Sequence, residues 1–101
     1  MTGYDLTDEA AEDIREIVRY TLQTWGRAQV TRYRASLKQC LNRLAEAPGL
    51  GKPFSDGLPE VRAFHCRHHF IFYLQREKPL VIAVLHERQN LAAKLAMRLD
   101  E

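Results

Sequence analysis

The sequence predicts an α+β fold, in which an N-terminal helical hairpin packs on one face of a small, mainly antiparallel sheet of about four strands and a short helix follows. In the first half of the chain, apolar residues recur at spacings of three and four, which is the period of amphipathic helices. In the second half they form short runs of β-branched, aromatic and aliphatic residues, which are typical of strands. Between the halves, Leu50–Pro59 is rich in glycine and proline and is predicted to be a loop.

The first half predicts a short strand followed by two helices. Tyr4–Leu6 alternates in polarity, and Thr7 is a predicted N-cap that places two acidic residues in the first helical turn. The apolar stripe of the first helix consists of Ala11, Ile14, Val18, Leu22 and Trp25, and that of the second of Val30, Tyr33, Leu37, Cys40 or Leu41, and Leu44. Only the break at Trp25–Gly26 separates the two stripes, so the helices are predicted to form an antiparallel hairpin that ends at Pro48–Gly49.

Three strands are predicted in the second half, over Val61–Cys66, Phe70–Gln75 and Leu80–Leu85. The polar stretch Arg76–Pro79 suits a hairpin between the last two. After them, leucines at spacings of four predict a short helix capped by Asn90. Because the helices are expected to cover one face of the sheet, the other face is a candidate interaction surface.

Length and composition predict a single globular domain spanning residues 1–101. Hydrophobic residues make up 46% and charged residues 28%, which excludes a disordered chain. The longest apolar run, Leu80–Leu85, is far too short for a bilayer span, and the acidic N-terminal region does not resemble a secretory signal. We therefore expect a cytoplasmic protein, in which Cys40 and Cys66 are buried thiols rather than a disulfide.

The net charge of +2 is unevenly distributed between the two predicted helices. The first carries the acidic residues Asp8, Glu9, Glu12, Asp13 and Glu16, and the second the basic residues Arg27, Arg32, Arg34, Lys38 and Arg43. One interpretation is that the solvated faces of the two helices attract each other in the hairpin. The other is a basic face for an acidic partner, either protein or nucleic acid.

A cluster of potential metal ligands, His65, Cys66, His68 and His69, lies within five positions. Neighbouring residues of a strand point to opposite faces, and no second cluster has the usual zinc spacing. His86 is the residue that could complete a site across the sheet. We nevertheless predict no metal and no cofactor.

Phosphodiester cleavage requires a base, an acid and cations at the reacting phosphate. The second half of the chain supplies possible cations in Lys52, Arg62, Arg67, His68, His86 and Arg88. Nothing in the sequence places a base within reach of an acid, so no catalytic residue is predicted.

Several short strings occur in order along the chain and together carry a family resemblance. They are Tyr4–Thr7, Ala10–Ile14, Tyr20 ahead of Trp25–Gly26, Gln29 with Tyr33, Leu44–Ala45 with Pro48, then Gly51, Arg62, His69–Tyr73 and Val84–Arg88. The resemblance spans essentially the whole chain and is closest to ParE toxins of plasmid maintenance systems, which share the His-His-aromatic strand and the Leu-His-Glu-Arg ending. No single string is diagnostic, but their order is specific. The resemblance implies the RelE/ParE fold.

The resemblance also implies a function. ParE proteins are toxins of type II toxin–antitoxin (ParDE) systems that act in plasmid maintenance or stress response. They inhibit DNA gyrase by binding rather than by catalysis, which blocks replication, and a ParD-type antitoxin neutralises them. The toxin and antitoxin are expected to form a hetero-oligomer that binds its operator through the antitoxin, without membrane association.

An alternative comes from the related RelE toxins, which cleave messenger RNA in the ribosome with a basic set and, commonly, a tyrosine near the C-terminus. The last tyrosine here is Tyr73, within a predicted central strand, which weighs against cleavage. Some relatives are thought to use a histidine instead, and His86 lies near the corresponding place.

Two sets of candidate site residues follow. The target-binding candidates are Arg62, Arg67, His86 and Arg88, for which structural roles at strand ends are the alternative. The antitoxin-binding candidates are Leu22, Trp25, Val30 and Tyr33, although Trp25 and Tyr33 are also candidates for the hairpin core. The antitoxin is expected to lay an amphipathic helix over an apolar groove and to add an extended segment to the sheet.

Overall fold

The structure is a computed structural model that describes residues 3–55 and 57–99. Its elements are β1 (Asp5–Leu6), α1 (Asp8–Trp25), α2 (Arg27–Glu46), β2 (Lys52–Ser55), β3 (Leu58–Cys66), β4 (His69–Leu74), β5 (Leu80–His86) and α3 (Leu91–Leu99). The strand order in the sheet is β1-β5-β4-β3-β2, with β1 parallel to β5 and every other pair antiparallel. The predicted α+β fold is confirmed, with five strands rather than about four. The additional strand is β2, which lies in the segment that we expected to be a loop.

The helical hairpin forms as predicted, but α1 is rotated relative to the predicted stripe. Thr7 Oγ1 accepts a hydrogen bond of 3.0 Å from the Ala10 backbone N–H, and Gly26, at φ 87°, ends the helix. The residues of α1 that face the core are Ala10, Ile14, Ile17 and Thr21. Thr21 can be buried because its hydroxyl donates to the Ile17 carbonyl at 2.7 Å. As a result, Leu22 and Trp25 are left at the surface.

Each face of the sheet carries its own apolar cluster. The hairpin covers one face, where Leu37, Leu41 and Leu44 of α2 pack on Ile71 and Tyr73 of β4. On the other face, Leu95 of α3 packs with Val61, Phe72, Ile82 and Leu85. The expectation that helices cover one face only was therefore wrong, because the short C-terminal helix packs on the second face.

A disulfide joins Cys40 of α2 to Cys66 at the end of β3, with Cα atoms 6.3 Å apart. The prediction of two thiols was therefore wrong. Sequence spacing could not show the pairing, because it depends on α2 lying beside β3, 26 residues further along the chain.

The outer edge of β5 is paired by backbone at one end and by side chains at the other. β1 pairs only with Leu80 and Val81. Further along, the Val84 N–H donates to Asp13 Oδ2 at 3.0 Å, and Arg98 donates to the Ile82 carbonyl at 2.8 Å. Arg98 also binds both carboxylate oxygens of Asp13, at 3.0 and 3.1 Å. This ion pair links α1, β5 and α3. None of the helices in the described residues is long and apolar enough to cross a bilayer.

Candidate functional site

A wide, open groove of about 1400 Å³ runs between the helical hairpin and the ends of β4, β5 and α3. Its aromatic lining comes from Tyr20, Trp25 and Tyr33. Its acidic lining comes from α1 and consists of Glu9, Glu12, Asp13 and Glu16. Its basic lining comes from α2, the β3–β4 turn, the segment after β5 and α3, and includes Arg32, Arg67, His68, Arg88 and Lys94. A concave surface with both charges and an aromatic end is suited to binding a peptide or a protein segment.

The exposed apolar surface lies at the tip of the hairpin. Trp25 is 69% exposed, Tyr20 64% and Leu22 47%, so the interpretation of Trp25 as a core residue was wrong. Tyr20 was not a candidate, since it lies outside the predicted stripe. A large aromatic residue on the polar side of an amphipathic helix was the signal that could have identified it.

The other two antitoxin-binding candidates, Val30 and Tyr33, are half-buried. Tyr33 packs against the hairpin-side core and lies edge-on to the His69 ring, with centroids 5.5 Å apart. Its hydroxyl is buried and has no hydrogen-bond partner in the described part of the chain. Burial, and then the charge of Asp13, raise the pKa of Tyr33, so the phenol stays neutral.

Histidines gather where β4 meets β5. His69 and His86 are directly opposite in the ladder, with ring centroids 5.2 Å apart. Burial, followed by the neighbouring charges of His86 and His68, lowers the pKa of His69 to about 4. His69 is therefore neutral at physiological pH and behaves as a packing residue.

One carboxylate, Glu87, binds two of these histidines, which sequence reasoning did not foresee. His65 Nε2 lies 2.8 Å from Glu87 Oε1, and His68 Nδ1 lies 3.4 Å from Oε2. The hydrogen bond from His65, and then that from His68, lower the pKa of Glu87. No group of three potential ligands has an arrangement that could hold a metal ion within residues 3–55 and 57–99.

Three of the four target-binding candidates come together. Arg67 follows β3, and His86 and Arg88 lie at the end of β5, all three lining the groove. Arg62 does not join them. Its guanidinium donates to the carbonyls of Gly51 at 2.8 Å and Gly49 at 3.1 Å, which holds the loop before β2.

The cations considered for phosphodiester cleavage are divided between two places. Lys52 lies on β2 opposite Ala63, three strand spacings or about 14 Å from β5, which carries His86. Tyr73 is fully buried, and its hydroxyl donates to the Pro48 carbonyl at 2.7 Å and accepts from the Gly51 N–H at 2.9 Å. Tyr73 is therefore a structural residue and not a candidate catalyst.

The opposite charges of α1 and α2 are not neutralised by each other. Glu12 pairs within its own helix, with Arg15 at 2.8 Å and Arg19 at 3.4 Å. None of the five basic residues of α2 has a carboxylate partner among the described residues. No direct ion pair joins α1 to α2 among the described residues, so the basic side chains of α2 stay available to an acidic partner.

Comparison with known proteins supports the resemblance. Residues 4–91 match a family model described as ParE toxin of type II toxin-antitoxin system, parDE. The chain is 50% identical to Toxin ParE of Escherichia coli over 98% of each chain. It is 32% identical to Toxin ParE1 of Caulobacter vibrioides, over 94% of this chain and 99% of that one. A solved structure from the chromosomal ParDE TA system of P. aeruginosa has the same fold, with a TM-score of 0.72 at 18% identity, over 85% of this chain and 96% of that one.

Proposed function

The chain belongs to the ParE toxin family of type II toxin–antitoxin systems, and we propose that it inhibits DNA gyrase by binding, which blocks replication. An antitoxin partner follows from the family, and we propose that it is a ParD-type protein that neutralises the toxin. The proposal includes a role in plasmid maintenance or stress response, a cytoplasmic location, where gyrase acts, and a hetero-oligomeric complex that binds its operator through the antitoxin.

The observation that carries a binding function is the groove with its exposed aromatic end. Its volume of about 1400 Å³ exceeds that of a typical small-molecule site and suits a polypeptide segment. Trp25 and Tyr20 offer large apolar surfaces at one end, and such side chains dominate the binding energy of protein interfaces.

A binding function is also supported over cleavage by the positions of the proton-transfer candidates. Lys52 and Arg62 lie away from the groove that holds His86, and the buried hydroxyl of Tyr73 is engaged in two hydrogen bonds. A general acid and base must lie within hydrogen-bond reach of the same substrate. The separation of these groups favours an inhibitor without catalytic residues.

The antitoxin is proposed to place an amphipathic helix across the hairpin end of the groove. Trp25 and half-buried Tyr33 line the groove there, whereas exposed Leu22 and half-buried Val30 lie on the hairpin outside the groove lining. The target-binding surface is proposed to lie at the other end, around Arg67, His86 and Arg88.

The experiment combines the purified toxin with gyrase and supercoiled plasmid, with and without its antitoxin, and follows trapped cleaved DNA on gels. We expect linear DNA to accumulate with toxin and to disappear when antitoxin is added. Unchanged gyrase activity over a wide excess of toxin would rule out this target.

Replacement of His86 by alanine separates inhibition from cleavage. In an inhibitor, loss of one surface contact is expected to weaken binding by about 1–2 kcal/mol at most positions of the interface. In a ribonuclease that depends on His86, cleavage of ribosome-bound message is expected to fall by about 10²–10⁴-fold. A toxin that leaves gyrase active and cleaves message would therefore establish the RelE-type alternative.

A further inference from the structure

Three arginines lie along the seam where α2 passes β3, and they define what we call the arginine line: Arg32, Arg43 and Arg67. Arg67 comes from the β3–β4 turn, and its Nε donates to Ser36 Oγ of α2 at 2.8 Å. Arg32 and Arg43 stand on α2 four residues before and seven after Ser36, which is one face of a helix. The line therefore extends about 17 Å along α2.

Each guanidinium of the arginine line is positioned by an uncharged group. Two nitrogens of Arg32 donate to Gln29 Oε1, at 3.2 and 3.1 Å. Arg43 lies over the ring of Phe64, 5.3 Å from its centroid. Since Gln29, Ser36 and Phe64 carry no charge, and no carboxylate pairs with these arginines in the described residues, all three positive charges are retained.

The backbone at Arg67 adds an independent observation. Arg67 has φ 56°, the left-handed conformation, and it is the single non-glycine residue with positive φ in residues 3–55 and 57–99. Glycine or asparagine adopts this conformation at lower cost. Arginine at this position therefore lowers the stability of the fold somewhat, but it places a guanidinium beside Ser36. Next to it, the Cys40–Cys66 disulfide fixes the end of β3 to α2.

We propose that the arginine line binds the phosphate backbone of duplex DNA. Arginine presents a planar fork of donors that matches phosphate, and donors held in advance lose less entropy on binding. Exposed residues beside the line include the polar Gln29 and Gln39 and the small Ala28 and Ala35, and so resemble a phosphate-contacting surface more than the apolar centre of a protein interface. A length of about 17 Å spans about five phosphates of one strand.

This inference deepens the proposed function, because a toxin that traps cleaved DNA on gyrase acts on a complex that already contains DNA. In that complex the arginine line would contact the DNA. Two of its members, Arg32 and Arg67, also line the groove, so the DNA and the bound protein would meet there. DNA binding is measured without gyrase, so its outcome is independent of whether gyrase is the target.

The test measures fluorescence anisotropy of a labelled duplex of arbitrary sequence, titrated with the full chain at several salt concentrations. Wild type is expected to bind with a slope of log K against log salt of about −2 to −3, as for about three phosphate contacts. The triple variant Arg32→Gln, Arg43→Gln, Arg67→Gln is expected to bind at least about tenfold more weakly, with a slope near zero.

The matched control removes the same number of charges from another face of α2. Arg27, Arg34 and Lys38 are exposed, have no side-chain partner in the described residues and lie roughly 140° around the helix from Arg32. The variant Arg27→Gln, Arg34→Gln, Lys38→Gln is expected to keep the wild-type slope and an affinity within about threefold. Circular dichroism of both variants checks that the fold is intact.

Two results would overturn the proposal. Equal weakening by both triple variants would mean that net charge alone attracts DNA. If the folded wild type does not bind the duplex, DNA is not the ligand of the arginine line. If the affinity for gyrase then depends on these three arginines, their ligand is an acidic protein surface instead.

Discussion

At the scale of single residues, Tyr73 and Tyr33 have the same type of side chain, but their hydroxyls have different surroundings. That of Tyr73 has two backbone partners, Pro48 and Gly51, whereas that of Tyr33 is buried without one in the described chain. Gly51 approaches so closely that a Cβ there would lie 2.7 Å from the Tyr73 hydroxyl oxygen. Tyr73 thus holds the loop that leads into β2, and Tyr33 leaves an unused donor at the groove.

We predict that Tyr73→Phe lowers the free energy of unfolding by about 1–3 kcal/mol, because the buried Gly51 N–H and the part-buried Pro48 carbonyl lose their partner. Tyr33→Phe is the matched control, since it removes the same atom. It is expected to leave stability unchanged or to raise it by about 1 kcal/mol. Urea denaturation followed by circular dichroism measures both, and an equal loss in the two variants would contradict the explanation.

Residue types indicated the chemistry of the candidate site, but not its assembly. Arg67, His86 and Arg88 could be chosen from the sequence because they follow predicted strands. The structural role of Arg62 could not, since its acceptors are backbone carbonyls of Gly49 and Gly51, which no side-chain pattern reveals. The binding of His65 and His68 to Glu87 depends on strand register, which the sequence does not fix.

At the scale of elements, the Asp13–Arg98 pair joins α1 to α3 across the edge of β5. Both side chains are largely buried, and each also binds the backbone of β5, at Val84 and Ile82. The pair therefore binds backbone groups along this part of the β5 edge, as β1 does at Leu80 and Val81. It keeps the edge closed to other strands.

We predict that Asp13→Asn lowers the free energy of unfolding by about 2–4 kcal/mol, because the largely buried ion pair between Asp13 and Arg98 loses its negative charge. The amide keeps an oxygen for the Val84 N–H, so the loss reports mainly on charge. A double-mutant cycle with Arg98→Met is expected to give a coupling energy of about 1–3 kcal/mol. Additive losses from the two changes would show that the pair does not act as a unit.

Elements with a strong hydrophobic pattern were predictable from the sequence. Elements whose structure depends on packing against distant parts of the chain were not. β4 and β5 are continuous apolar runs buried on both sides, and their predicted bounds hold within one residue. β2 contains Pro53, which argues against a central strand but is tolerated at the sheet edge, where β2 lies. The orientation of α1 was missed because a buried threonine replaces an expected apolar residue.

At the scale of the whole molecule, charge is divided between the two helices, and this division was visible in the sequence. The arginine line was not, because Arg67 reaches Ser36 from 31 residues away. The same packing of α2 on β3 brings together the two cysteines. The long-range contacts of β3 with α2 therefore account for both the arginine line and the disulfide.

The disulfide is expected to stabilise the fold by about 3.5 kcal/mol, since it closes a separation of 26 residues in the unfolded chain. Urea denaturation with and without reductant should show this difference, with little change in the circular dichroism of the folded state. The double variant Cys40→Ser, Cys66→Ser is the control, and its stability should not respond to reductant. Equal stability of oxidised and reduced wild type would contradict the prediction.

The parallel pairing of β1 with β5 has a consequence for biosynthesis. Asp5 pairs with Leu80, and Asp13 binds Arg98. The start of the chain can therefore form its native contacts only after segments much later in the sequence have been synthesised. At about 5–20 residues per second, the ribosome needs about 4–17 s to supply them. Until then the nascent hairpin has no sheet to cover, and a partly translated toxin lacks both its groove and its arginine line. The groove and the arginine line can therefore be complete only after translation has passed α3.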